Sequence, residues 1–331
     1  MTSTDSPVEA STWLPITPEA AFELVTEPAR LRRWLMVAGH IDVRVGGEVH
    51  LVVAPGAHAV GEVTEVEPGR RFGYTHGWVG DEELPPGSSE VTVTLEPERD
   101  GTTVTVRHHG IPAAAAEGMQ AGWQTFMQRL AALVQGSSNQ RDWPASLDVA
   151  STTSVLDASL YALLDQLRSI APDDHLRPTP CPDFTVGDLV AHLIGNAEML
   201  ASALPIAAAP AATDPTHDPE GAVAAVVWPC VAAAQAMPAS DIVDLGGLTV
   251  TGDELVRYLS VEFLVHAWDI STATNSHLDA SDELCAAVLD NAARTESTPF
   301  FDESQFDSPL PAAPSAPALH RLLTRTGRHV S

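Results

Sequence analysis

EVTVTLEPERDGTTVTVRHH, residues 90 to 109, decides how the first half of this chain folds. Apolar and polar residues alternate from Glu90 to Leu95 and again from Thr102 to His108, the period of a half-buried strand. Arg99-Asp100-Gly101 lies between the two runs, and Asp-Gly is a favoured hairpin dipeptide, so the stretch predicts two antiparallel neighbours. The same grammar occurs upstream. Residues 41–45 and 49–53 alternate on either side of Gly46-Gly47, a dipeptide suited to a two-residue turn. Thr17 followed by Pro18 marks a helix start carrying Phe22, Leu24 and Val25, and residues 117–134 predict a long closing helix. Strand, helix, many strands and a last helix make an α+β domain.

The second half follows another period. Residues 155–170, 186–204, 222–237 and 254–274 carry apolar side chains at i, i+3 and i+4 over lengths no strand reaches, so four helices and a bundle are expected. Two starts are marked by capping boxes, Thr185 with Asp188 and Thr251 with Glu254. Gly136 to Ala150 (GSSNQRDWPASLDVA) is polar and breaks both patterns, which places the linker at 137–151 between domains at 8–136 and 152–329. Residues 205–221 (PIAAAPAATDPTHDPEG) read as a long loop, because prolines at that density cannot continue a helix.

Composition narrows the chemistry. The chain has 331 residues, more than a single hydrophobic core usually serves. All 17 basic residues are arginine, against 44 acids, for a formal charge of −27. Without lysine, Schiff-base, pyridoxal-phosphate and Walker-type nucleotide chemistry are excluded as normally built. Such a charge repels phosphate backbones, so neither nucleic acid nor an anionic membrane is an expected partner. Met1 to Ala10 has no basic and apolar leader pattern, and no run reaches the roughly 20 apolar residues of a membrane span; a cytoplasmic location is expected. Cys181, Cys230 and Cys285 are odd in number and lack C-x-x-C spacing, which argues against a disulfide framework or a thiolate zinc site. Arginine in place of lysine, with abundant alanine and valine, suits a GC-rich bacterial genome.

One cluster of titratable residues stands out. Glu262 and His266 sit four apart in VEFLVHAWD (261 to 269), one helical turn from each other among apolar neighbours. His192, in DLVAHLI (188 to 194), is a lone imidazole in another apolar helix. Two imidazoles and a carboxylate suit a divalent metal with open positions. A salt-bridged helix face and a satisfied core histidine are the competing readings, and the residues alone leave them open. Asp269 reads equally as an acceptor that orients a ligand imidazole or as a surface acid near a helix end. Cys181 lies just before a helix start, where thiolates are favoured, but its flanking prolines read rather as a structural turn, and Cys230 and Cys285 read as small core residues.

Family resemblance extends these readings. PITPEAAFELVTEPARLRRWL (15 to 35), VGGEV (45 to 49), GEVTEVEPGRRFGYT (61 to 75) and EGMQAGWQTFMQRLAALV (117 to 134) resemble the activator-of-Hsp90-ATPase-like branch of the START-like (SRPBCC) superfamily. That resemblance implies a helix-grip fold, a curved antiparallel sheet around a long C-terminal helix with an apolar cavity between them. RPTPCPDFTVGDLVAHLI (177 to 194), GGLTVTGDELVRYLSVEFLVHAWDISTAT (246 to 274) and LHRLLTRTGR (319 to 328) resemble an actinobacterial metal-binding family related to mycothiol-dependent maleylpyruvate isomerase and the wider DinB-like bundles. The family's divalent metal, usually zinc, falls by this resemblance on His192, Glu262 and His266.

The implied activity is metal-dependent transfer or isomerisation of a small electrophile with a low-molecular-weight thiol of the mycothiol type as cofactor. The alternative is a non-enzymatic module for an apolar ligand or a stress response, with a structural metal. Co-chaperone regulation rests on the name of the first family alone. In the first domain Trp34, His76, Trp78 and Trp123 are candidates to line the cavity, with ordinary aromatic core as the competing reading. His108 and His109 end a strand and point to opposite faces, so they cannot chelate together. Asp81-Glu82-Glu83 reads as a solvated loop.

Overall fold

The computed structural model describes residues 7–136, 147–182, 184–204, 206, 213–245, 247–295 and 308–330. The chain divides into two compact units, residues 1–145 and 146–331. Most of the expected linker lies outside the described residues.

Among the described residues the first unit is one seven-stranded antiparallel sheet with three helices. The strands are β1 (Val8–Leu14), β2 (Ala38–Ile41), β3 (Glu48–Ala54), β4 (Ala57–Glu67), β5 (Arg71–His76), β6 (Ser89–Glu98) and β7 (Gly101–His109). Their order is β1-β7-β6-β5-β4-β3-β2, a meander whose first strand returns to the far edge. Helices α1 (Pro18–Thr26) and α2 (Pro28–Leu31) carry the chain from β1 to β2, and Thr17 caps α1 by accepting from the Ala20 amide. The long α3 (Ala116–Val134) turns Trp123, Met127 and Leu130 inward, a spacing of four and three that makes one helical stripe. It packs against β1, where Gln120 bonds both the carbonyl of Glu9 at 2.8 Å and its amide at 3.3 Å. The core it closes on includes Leu14, Phe72, Val91 and Val104.

The hairpin expected over 90–108 forms with its turn displaced, whereas the one expected from 41–45 and 49–53 is replaced by a pairing of residues 38–41 with 49–52. Gly101 already pairs with Glu98, so the turn residues are Arg99, at φ 57, and Asp100. Gly101 is needed for another reason: a Cβ there would stand 2.3 Å from the Leu14 carbonyl oxygen and 2.7 Å from the Trp13 ring of β1. The strand expected over 41–45 ends at Ile41, and Gly46-Gly47 is not a two-residue turn. Gly46 donates to the Val63 carbonyl and Val63 to that of Gly47, both at 2.8 Å, so β4 captures the dipeptide and the connection lengthens to 42–47.

The second unit is helical, with α4 (Thr152–Ser169), α5 (Val186–Ala203), α6 (Pro219–Ala236), α7 (Gly252–Thr274), α8 (Asp282–Thr295) and α9 (Ala318–Arg325). Helices α4 to α7 are the four expected from periodicity. Both capping boxes are present, Thr185 with Asp188 on α5 and Thr251 with Glu254 on α7. Helix α6 starts three residues before the expected boundary, because Asp218 caps it and Pro219 occupies the first turn. A short hairpin, β8 (Ile242–Asp244) with β9 (Thr249–Thr251), leads into α7. This hairpin, α8 and α9 are not among the elements expected from the sequence. Among the described residues no helix is long and apolar enough to cross a membrane.

Candidate metal centre

Two capped helices carry the cluster. The capping box on α5 starts that helix at Val186 and places His192 near the end of its second turn. Helix α7, capped at Thr251, is buried along most of its length and carries Glu262 and His266 at 4 % and 3 % exposure. The structure brings all three together. His192 Nε2 is 3.1 Å from Glu262 Oε1, and His266 Nε2 is 3.4 Å from the same oxygen. One donor atom from each lies within 4.8 Å of the others, and the two imidazoles meet edge to face with centroids 5.3 Å apart. His192 is the more open of the three, with 27 % of its side chain exposed. Two imidazole nitrogens and a carboxylate oxygen converging from one partly open side form a donor set suited to a divalent transition metal.

Around them runs a connected polar network. Asp269, entirely buried, is no surface acid: its Oδ2 lies 2.9 Å from His266 Nδ1, which leaves Nε2 to face the cluster. Arg328 Nη2 donates to the same carboxylate at 2.9 Å, and its Nη1 donates to the Thr326 carbonyl at 2.7 Å. The Tyr258 hydroxyl donates to Glu262 Oε2 at 3.3 Å. Asn196 Nδ2 lies 3.0 Å from Glu262 Oε1 and 3.1 Å from His192 Nε2. The Phe184 ring rests on His192 with centroids 5.2 Å apart.

Electrostatics follow from burial and charge. Burial favours a neutral Glu262, but the His266 charge and hydrogen bonds from His192 and His266 outweigh it and hold the carboxyl well below the usual range. Burial likewise favours a neutral His266, yet the Glu262 carboxylate and then the Asp269 hydrogen bond raise its pKa to about 9. Asp269 is buried too and still held low, by its hydrogen bond to His266 and by the Arg328 charge.

Asn196, Tyr258 and Arg328 were not singled out in the sequence. The first two had a local signal, since each stands four residues from a cluster member on the same helix. Arg328 had none, because its partner is 59 residues away. The other candidates sort clearly. Cys230 and Cys285 are 1 % and 2 % exposed, and burial raises both thiols to about 11, as core residues should be. The Cys181 carbonyl accepts from the Thr179 hydroxyl at 3.1 Å and the Phe184 amide at 3.3 Å, bonds that build a turn. His108 is buried and His109 exposed, on opposite faces of β7. The Asp81 carboxylate accepts from the Glu83 and Leu84 amides in an exposed loop.

In the first unit a cavity of about 440 Å³ lies between the sheet and α3, and His76, Trp78 and Trp123 all line it. Trp34 does not. It is 2 % exposed in the core, where its Nε1 donates to the Leu24 carbonyl at 2.9 Å.

These features define a START-like helix-grip domain followed by a DinB-like helical bundle. Each half matches one family: residues 15–135 the Activator of Hsp90 ATPase homolog 1-like family, and residues 156–271 the mycothiol maleylpyruvate isomerase N-terminal domain family. An uncharacterized protein of Mycobacterium tuberculosis is 32 % identical over 172 residues, which cover 49 % of this chain and 91 % of that one. Among solved structures, an AHSA1-like protein of Rhizobium etli is 31 % identical over 44 % of this chain and 92 % of its own, with a TM-score of 0.36. DynU16, a protein of the dynemicin biosynthetic locus, is 28 % identical over 42 % of this chain, with a TM-score of 0.37. The match spans 51 % of the length of DynU16.

Proposed function

We propose that the protein is a divalent-metal-dependent transferase or isomerase that uses a low-molecular-weight thiol, of the mycothiol type, on a small electrophile. The observation that carries this reading is the convergence of His192, Glu262 and His266 within a segment that matches the mycothiol maleylpyruvate isomerase N-terminal domain. His192 Nε2, Glu262 Oε1 and His266 Nε2 would hold the metal, and zinc suits this donor set. When bound, the metal supplies Lewis acidity that lowers the pKa of a thiol, so that the thiolate is available at neutral pH. The chain's own residues do the positioning. Asp269 takes the Nδ1 proton of His266 in a hydrogen bond and fixes that ring; Tyr258 holds Glu262 Oε2 and leaves Oε1 toward the two imidazoles. The Phe184 ring packs against His192 and restricts its rotation.

The cavity of the first unit favours a second reading, a non-enzymatic carrier of an apolar small molecule whose second unit holds a structural metal. Metal content by mass spectrometry, with circular dichroism, on the wild type, His192→Ala and His266→Ala is the first test. Near one equivalent in the wild type, lost in both folded variants, supports the site. A correctly folded wild type that takes up no zinc overturns the enzyme reading. With metal present, faster consumption of a thiol and an electrophile than by chelated protein supports the transferase, and equal rates overturn it. Loss of folding on chelation favours the structural metal.

A further inference from the structure

The cavity of the first unit has a polar pole in a wall that is otherwise apolar or aromatic. His76 forms part of its lining and is 4 % exposed, and its Nδ1 is buried with no hydrogen-bond partner. Its neighbour His108 is the opposite case. Trp123 Nε1 donates to His108 Nδ1 at 3.2 Å, and His108 Nε2 lies 2.9 Å from Ser89 Oγ, whose own proton goes to the His76 carbonyl at 2.7 Å. That chain fixes His108 as a neutral ring protonated on Nε2, with nothing left to offer. His76 stands edge-on between His108 and Trp78, at centroid distances of 4.7 and 5.0 Å, and burial lowers its pKa to about 4. A neutral imidazole thus sits in the cavity wall with hydrogen-bonding capacity unused. A half-turn about Cβ–Cγ exchanges its nitrogen and carbon edges, so the ring can present a nitrogen to an occupant without moving the backbone.

The helix opposite is cut away in a matching manner. Gly118 and Gly122 lie one turn apart on α3 in the cavity lining, and a Cβ built on either meets no atom within 4 Å. Glycine inside a helix is costly, and here it leaves a bare strip of backbone with room for a flat object. Tyr74, Trp78, Trp123 and Phe126 supply aromatic walls. Among the described residues that line the cavity none carries a formal charge, so a carboxylate or ammonium would lose its hydration without gaining a counter-charge. A volume of about 440 Å³ falls within the range of small-molecule sites.

We propose that this cavity takes an uncharged, flat aromatic molecule bearing a hydroxyl group, with the ring along the Gly118–Gly122 strip and the hydroxyl hydrogen-bonded to the His76 imidazole. A hydroxyl both donates and accepts, so it satisfies the neutral ring in either tautomer. The proposal rests on the reading of this cavity as a site for an apolar small molecule and adds the anchor and the ligand class.

Equilibrium dialysis of the full-length protein against naphthalene, β-naphthol and β-naphthoate tests it. β-Naphthol is expected to saturate at one equivalent with a Kd about tenfold below that of naphthalene, the worth of one hydrogen bond in a dry site, and β-naphthoate to bind more weakly than either. His76→Phe should erase the β-naphthol advantage and keep the naphthalene affinity, while Gly122→Leu should weaken both. Equal affinities for naphthalene and β-naphthol in the wild type would overturn the anchor and leave the apolar site standing. Absence of saturable binding by either would overturn the site itself. Preference for β-naphthoate, or an advantage that survives in His76→Phe, would also overturn the proposal. The comparison of probes on the wild type decides the matter even where His76→Phe fails to fold.

Discussion

Arg328 and Asp269 meet inside the second unit, the guanidinium Nη2 2.9 Å from the carboxylate Oδ2, with side chains 2 % and 0 % exposed. The Nε of Arg328 reaches the other carboxylate oxygen, Oδ1, at 3.4 Å, so the approach is two-pronged. The pair ties a C-terminal segment to the back of His266 through Asp269. Arg328→Met would leave the Asp269 charge buried without its guanidinium, a loss of about 3–5 kcal/mol in the stability of the second unit. Asp269→Asn in the same chain should recover part of it. Denaturant unfolding of the four members of this cycle measures both numbers, and a single variant that unfolds at the wild-type midpoint would contradict the role of the pair.

Asp269 also bears on metal uptake. Replacing the carboxylate opposite His266 Nδ1 with an amide removes its charge and offers an N–H as well as an oxygen there, so the tautomer is no longer fixed and the basicity of Nε2 falls, for which a loss of about 10–100-fold in metal affinity is usual. Asp269→Asn combined with Arg328→Met, which avoids an unpaired charge, should retain its helical circular dichroism and bind zinc more weakly by that factor in competition with a chromophoric chelator. Unchanged affinity would mean that Asp269 serves only the ion pair.

What could be read ahead of the structure was local. Thr185 with Asp188 and Thr251 with Glu254 announce helix starts within four residues, and the alternation on either side of Arg99 announces two strands, because capping and pleat are short-range effects. The juxtaposition of His192 with Glu262 and His266 was open, since residues 70 apart meet only through the packing of two helices. The same non-local packing hid Arg328, and it displaced the Gly46-Gly47 turn, where β4 supplies the hydrogen bonds. Helix α9 spans only eight residues, too few to establish a period, whereas α8, with Leu284, Val288 and Ala292 buried four apart, carried a helical stripe that was legible and was passed over.

Acid should loosen the first unit. His76 and His108 are neutral in the fold, burial lowering them from the ordinary 6.5 to about 4 and about 3, with the neighbouring His76 charge adding to the effect on His108. Above pH 6.5 both folded and unfolded chains are unprotonated there and the stability is fully present. As the pH falls below that value the unfolded chain takes up protons that the folded chain refuses, so stability declines until the folded values are reached. Near pH 5 the loss is about 2 kcal/mol for each histidine. The denaturant midpoint of the first unit, followed by tryptophan fluorescence from pH 7.5 down to about pH 4.5, should fall, and His76→Phe should flatten the slope. A midpoint rising toward acid would contradict this account.

Two glycines of the first unit should respond in opposite directions to the same added methyl group. At Gly101 a Cβ would overlap the Leu14 carbonyl oxygen at 2.3 Å and the Trp13 ring at 2.7 Å. The Leu14 carbonyl oxygen is backbone and cannot turn aside, and the exposed Trp13 ring is tied by its Nε1 to the Glu98 carbonyl at 3.2 Å, so β1 must move off β7. Gly101→Ala should therefore cost about 1–3 kcal/mol, the usual scale of overpacking. At Gly122, inside α3, the same Cβ meets no atom within 4 Å, and alanine is the better helix former by about 0.5–1 kcal/mol. Gly122→Ala should raise the thermal midpoint of the first unit while narrowing the strip on which a flat ligand would lie. Unfolding curves for the two variants beside the wild type provide the check. Destabilisation by Gly122→Ala would mean that the space beside α3 is not open, and a neutral Gly101→Ala would mean that β1 approaches β7 less closely than these distances require.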